Sequence, residues 1–126
     1  MAVSVVVAPI GAGKLEAWRD LQAELSGPRR GDWAQSQRRR GVTREVAFLV
    51  ADPDPYVIYV IDGAEAEAAI TRLSDSVHGF DRWLYDRMME VHAGMIFADR
   101  VHDTRPGPGA WRGWRGWSSR SEKRTP

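Results

Sequence analysis

Apolar positions fall in short blocks whose spacing alternates between strand-like and helix-like. Residues 3–8 (VSVVVA) are β-branched and few, which predicts a strand. Pro9 and the run Gly11-Ala12-Gly13 end it. Over 14–25, Leu15, Trp18, Leu21 and Leu25 recur at steps of three and four, the period of a helix with one buried stripe. Ser26-Gly27-Pro28 breaks that helix, and a second helical piece follows over 30–40, stopped by Gly41 at a C′ position. Residues 43–50 (TREVAFLV) read as a strand with Val46, Phe48 and Val50 on one face and Ala47 and Leu49 on the other. Asp52-Pro53-Asp54-Pro55 is a turn, and 56–61 (YVIYVI) is the strongest strand in the chain. An Ala-rich helix is expected over 63–73. Another is expected over 80–91, with Phe80, Trp83, Leu84, Met88 and Val91 on one stripe, and a last strand over 94–98 (GMIFA).

The order β, α, β, β, α, β is that of the split βαβ, ferredoxin-like arrangement. It predicts an α+β domain in which helices cover one face of a four-stranded antiparallel sheet. The strands at 3–8 and 56–61 are apolar on both faces, whereas a sheet with one wet face alternates. Something must therefore cover the second face. The simplest cover is the same sheet of a second copy, so a homodimer through the sheet faces is expected. The competing cover is the chain's own C-terminal tail.

That tail stands out once charge is counted. Residues 1–98 hold 11 basic and 14 acidic groups, a net of −3, whereas 99–126 hold 7 and 3, a net of +4. The composition shifts at the same point, so the expected division is a compact domain over 1–99 and an irregular basic tail over 100–126. Trp111, Trp114 and Trp117 repeat every third residue, a period suited to an extended path rather than a helix stripe. Three readings compete for the tail: a wrap over the partner subunit or the pocket, an Arg/Trp segment for RNA or anionic membrane, or an extension without a role. Nucleic acid is the weaker partner because the domain itself is net negative. The chain has no Cys, which excludes disulfides, thiolate catalysis and cysteine-held metal. A cytoplasmic setting fits that absence. No apolar run approaches the ~20 residues of a membrane span, and the first residues lack the basic start of a signal peptide.

Three stretches carry a family resemblance: RRRGVTREVAFL (38–49), YVIYVID (56–62) and HGFDRWL (78–84). With the element order, they make 1–98 similar to the dimeric α/β-barrel superfamily. That group includes antibiotic-biosynthesis monooxygenase-like proteins, small polyketide cyclases and haem-degrading monooxygenases. More narrowly, the chain resembles a small bacterial family of unknown function within that group. The resemblance implies a dimeric α/β barrel and a small-molecule pocket in each subunit, between sheet and helices. The superfamily's haem degraders use an Asn with Trp and His, and its quinone-forming monooxygenases an Asn with Trp and Tyr. This chain contains no Asn, which weighs against both chemistries here.

Candidate chemistry is sparse. Gly11-Ala12-Gly13-Lys14 follows a strand and opens a helix, but Ala8 and Leu15 stand where a phosphate loop needs Gly and Ser/Thr, so a plain βα turn is the better reading. His78 and Asp81 enter the last helix together. They make a candidate proton-transfer group with an orienting carboxylate, set against a loop His and a solvated first-turn acid. His92, in line with Met88 and Tyr85, is a second candidate acid/base, or a side chain that meets the last helix carbonyls. Trp83, Arg82 and Tyr85 are candidate pocket residues, as are Tyr56 and Tyr59, which lie on opposite faces of their strand. Arg44, beside Arg38-Arg39-Arg40 and Glu45, is either an anion ligand or part of a cluster favoured by the helix dipole. No cofactor or metal is expected. The expected activity is cofactor-free acid/base cyclisation, dehydration or isomerisation of an apolar, polyketide-like substrate. Cofactor-independent oxygenation of a phenol or hydroquinone is the alternative enzyme, and a dimeric ligand-binding module the non-enzymatic rival.

Overall fold

The computed structural model of the chain describes residues 2–104. The proposed roles of the Trp/Arg tail concern 105–126 and lie outside the described residues. The elements run β1 (Ala2–Pro9), α1 (Leu15–Ser26), α2 (Arg30–Arg39), β2 (Val42–Val50), β3 (Tyr56–Gly63), a 3-10 turn (Ala66–Ala68), α3 (Ala69–Asp75), α4 (Gly79–Val91) and β4 (Ile96–Ala98). The strands form one antiparallel sheet in the order β2-β3-β1-β4. β1 reaches β2 through α1 and α2, leaving β3 between them. β3 reaches β4 through α3 and α4, leaving β1 between. This α+β arrangement is compatible with a ferredoxin-like fold.

Alternation along the strands sets the two faces. Val6 and Ala8 of β1 and Val57, Tyr59 and Ile61 of β3 are buried toward the helices. The expected stripes supply the rest of the core: Trp18, Leu21 and Leu25 from α1, and Phe80, Leu84, Met88 and Val91 from α4. Each such side chain contributes roughly 1.5–3 kcal/mol through burial. The helix α2 is different, because Ser36 is its one buried residue. Its attachment combines the half-buried Trp33, packed against the core, with polar bonds.

Helix ends follow the chemistry of their residues. Arg38 and Arg39 sit in the last turn of α2, where cations favour the negative end of the helix dipole. Gly41 follows with φ +73°, the left-handed position expected of it. The turn between β2 and β3 contains a cis Asp52–Pro53 peptide.

Two elements differ from expectation. The predicted helix over 63–73 starts later, because β3 continues through Gly63, which crosses directly over the backbone of Gly41. A 3-10 turn then places Ala66 and Ala69 beneath the sheet. The last strand is also shorter than 94–98. His92 and Ile10 form an isolated bridge and Gly94 turns the chain with φ +151°, so pairing with β1 resumes only at Ile96.

The face of the sheet away from the helices carries Val5 and Val7 of β1, Ile58 and Val60 of β3, and Val46 and Phe48 of β2. Phe48 is 54% exposed. Among the described residues no helix is long and apolar enough to cross a membrane.

Candidate functional site

Two buried polar networks flank the space between sheet and helices. In the first, the indole Nε1–H of Trp18 donates to Tyr59 Oη at 2.9 Å, and Tyr59 Oη lies 2.8 Å from His92 Nε2. His92 Nδ1 lies 3.1 Å from the Pro9 carbonyl oxygen. A carbonyl only accepts, so Nδ1 carries the hydrogen of the neutral ring and Nε2 accepts from the phenol. The two rings meet edge to face, centroids 5.6 Å apart. Burial holds the His92 imidazole below its ordinary value, against the carbonyls of Pro9 and Ala8. Burial likewise raises the Tyr59 phenol well above its ordinary value, although the Trp18 hydrogen bond opposes it.

The second network ties α2 to α4. Asp81, 1% exposed, accepts from Arg39 Nη2 at 2.8 Å and from Ser76 Oγ at 2.6 Å. The Ser36 hydroxyl bonds it too, while accepting from Arg40 Nε at 3.2 Å. Burial pushes the Asp81 carboxyl up, but the hydrogen bonds from Arg39, Ser36 and Ser76 outweigh that and bring it down to about 2.

Between the networks lies a narrow cleft with room for about one water, ≈ 20 Å³. Tyr59, Arg40, Leu84 and Met88 form its buried floor, whereas Gln22, Trp33, Glu45 and Ile70 are its partly buried rim. β2 places Glu45 here because it pairs with Ile61 on the inward face of β3. Burial pushes the Glu45 carboxyl up, with the Arg40 charge opposing. Burial also lowers Arg40, offset by the charges of Glu45 and Asp81. A carboxyl raised by burial, a guanidinium, an amide and a phenol thus face one space. That set can exchange a proton with a bound molecule and hold a charged oxygen.

The sequence-predicted residues scatter. Tyr59 and His92 are brought together in the core. Asp81 is buried, but its partners come from α2 and the loop before α4. The expected His78–Asp81 pair is not formed: His78 is exposed, and its backbone N–H donates to Ser76 Oγ at 3.2 Å. Trp83 is half-buried with the Arg29 guanidinium 4.2 Å above its ring, and Arg82 is exposed with a bond to the Ser74 carbonyl. Tyr85 packs against the core. Tyr56 and Arg44 lie on the open face of the sheet, with Arg44 opposite Asp62. The turn at 11–14 closes through Lys14 N–H to Gly11 O at 2.9 Å. The groove beside it is walled by Glu16 and Asp54, a setting unsuited to phosphate.

Trp18, Gln22, Ser36, Arg40 and Glu45 were not singled out by sequence as individual site residues. For Glu45 the signal was present, as a carboxylate at the inward parity of a strand shared with Ala47 and Leu49. Among the described residues no group of three His, Cys, Asp or Glu gathers to hold a metal ion. Comparison with known protein families, with characterised proteins and with solved structures finds no match for this chain.

Proposed function

We propose that this chain is a small-molecule enzyme that uses acid/base chemistry to cyclise, dehydrate or isomerise an apolar or aromatic substrate. One observation carries the reading: Glu45, Arg40, Gln22 and Tyr59 converge on a cleft whose remaining wall is apolar, the usual make-up of a ligand site. The position between sheet and helices also agrees with the resemblance to the dimeric α/β-barrel superfamily. In this reading Glu45 exchanges the proton, since it faces the cleft beside Arg40 and burial raises its carboxyl above the ordinary value. Arg40 polarises the substrate oxygen where charge develops. With space for only about one water, the rim side chains Gln22, Trp33 and Ile70 must swing aside to admit a substrate.

The test begins with native mass spectrometry of the purified full chain, which identifies any small molecule it carries. With that molecule or its analogues as substrate, Glu45→Gln should lower kcat about 100-fold with little change in binding. Unchanged turnover in Glu45→Gln removes the proton-transfer role. Turnover that stops without oxygen assigns phenol oxygenation instead, and saturable binding without product assigns a ligand-binding module.

The open sheet face supports a homodimer as part of the same reading. Strands spaced ~4.8 Å apart and about seven residues long give a footprint on the order of 400 Å², the size of the largest apolar patch on a typical monomer and one that often serves a contact. Arg44 and Asp62 at one end supply complementary charges for a two-fold partner. The full chain should sediment as a dimer and Val60→Glu, at the centre of the face, as a folded monomer. A wild-type chain that stays monomeric at every concentration removes the dimer.

A further inference from the structure

The Trp18–Tyr59–His92 chain has a property that the acid/base reading does not use. The phenol oxygen sits between two nitrogens, 2.9 Å from Trp18 Nε1 and 2.8 Å from His92 Nε2. Trp18 can only donate, so one lone pair of Tyr59 is always taken. The phenol hydrogen then has two destinations. One is His92 Nε2. The other is Met88 Sδ at 3.9 Å, on the floor of the cleft.

We propose that Tyr59 and His92 form a two-state proton relay into the cleft, which rests on the reading of that cleft as an acid/base site. With His92 neutral, the phenol donates its hydrogen to Nε2, so that hydrogen faces away from the cleft. With His92 protonated, Nε2–H becomes a donor, Tyr59 accepts from both His92 and Trp18, and its own hydrogen turns toward Met88 Sδ. The imidazolium leaves no donor orphaned, because Nδ1–H keeps the Pro9 carbonyl and Nε2–H gains the phenol oxygen. When a substrate oxygen occupies the cleft it replaces the sulfur as acceptor. The phenol O–H bond breaks toward that oxygen as the Nε2 proton crosses to the phenol. Tyr59 ends unchanged, His92 ends neutral, and the substrate gains one proton.

Burial disfavours the His92 imidazolium, and its hydrogen-bond partners work the other way. β1 offers the carbonyls of Ala8 and Pro9, β3 the Tyr59 phenol, and the preceding turn of α4 the Met88 thioether. From β2, Glu45 acts on Tyr59 through its charge. From α1, Trp18 reaches the pair only through the phenol. Trp18 is therefore a positioning residue: it fixes the phenol oxygen and excludes the arrangement in which Tyr59 accepts from nothing.

The test is nitrogen-15 NMR of the histidine side chains in the full chain, followed through an acid titration. The exposed His78 and His102 serve as internal references. At neutral pH His92 should be the Nδ1–H tautomer with a bare Nε2, and Nε2 should gain its proton on acidification while the fold persists. Tyr59→Phe should shift the Nε2 resonance, whereas Tyr85→Phe should leave it in place. An Nε2–H tautomer at neutral pH, or an Nε2 signal indifferent to Tyr59→Phe, overturns the relay. The measurement needs no substrate, so it fails or holds independently of the Glu45→Gln result.

Discussion

Asp81→Ala should lower the stability of the full chain by about 3 kcal/mol, seen as a drop of roughly 15 °C in Tm. The carboxylate is 1% exposed and joins three segments: Arg39 and Ser36 of α2, Ser76 of the loop, and its own helix α4. Removing it leaves donors facing an empty site. The loss falls at the lower end for a broken buried pair because Arg39 is 32% exposed and regains water. The same contacts give the acid dependence a definite sign. The carboxyl is at about 2 in the folded chain and at 3.8 when unperturbed. Its contribution is whole above about 4 and is lost as pH falls through that window to about 2, on the order of 2 kcal/mol in all. Wild type should therefore lose stability faster than Asp81→Ala between those values. Parallel acid slopes in urea titrations count against the assignment.

Gly63→Ala should cost about 3 kcal/mol, and for a different reason. A Cβ there would run into the carbonyl oxygen of Gly41, with the carbonyl carbon at 3.2 Å. Both sides of that crossing are backbone, so neither can rotate away. The strands β2 and β3 would have to part at Val42 and Gly63, which pair in the sheet. Gly31 supplies the contrast within the same chain. It lies in α2 with nothing within 4 Å of its would-be Cβ, so Gly31→Ala should stabilise by about 0.5–1 kcal/mol through helix propensity. Equal effects at the two positions would mean that the Gly41–Gly63 crossing is looser than the structure has it.

Much of the fold could be read from periodicity, because burial imposes it. The stripe Trp18, Leu21, Leu25 and the unbroken apolar run over 56–61 each report a surface that must leave water, and Gly41 reports a backbone angle that side chains resist. The site was less legible. His78 and Asp81 are close in sequence, yet the loop hydroxyl of Ser76 and the guanidinium of Arg39, 42 residues away, take the carboxylate first. Trp18 looked like one more apolar residue, since a sequence does not show that its indole N–H meets a phenol 41 residues on. In the run Arg38-Arg39-Arg40, all three side chains have the same chemistry, and it is the last that stands one helical turn after the buried Ser36 and so turns inward.

The attachment of α2 has a consequence for how the chain breathes. The sheet, α1 and α4 share a continuous apolar core, so they open together and at the cost of global unfolding. The helix α2 buries only Ser36, lays the half-buried Trp33 against that core, and is tied to α4 by the bonds of Arg39 and Ser36 to Asp81. With fewer buried apolar contacts than its neighbours, α2 is the helix expected to open first, and the Asp81 contacts make that opening easier in acid. Because Trp33 and Arg40 ride at this helix and its end, a movement of α2 away from α4 would widen the cleft while the sheet beneath it stays packed.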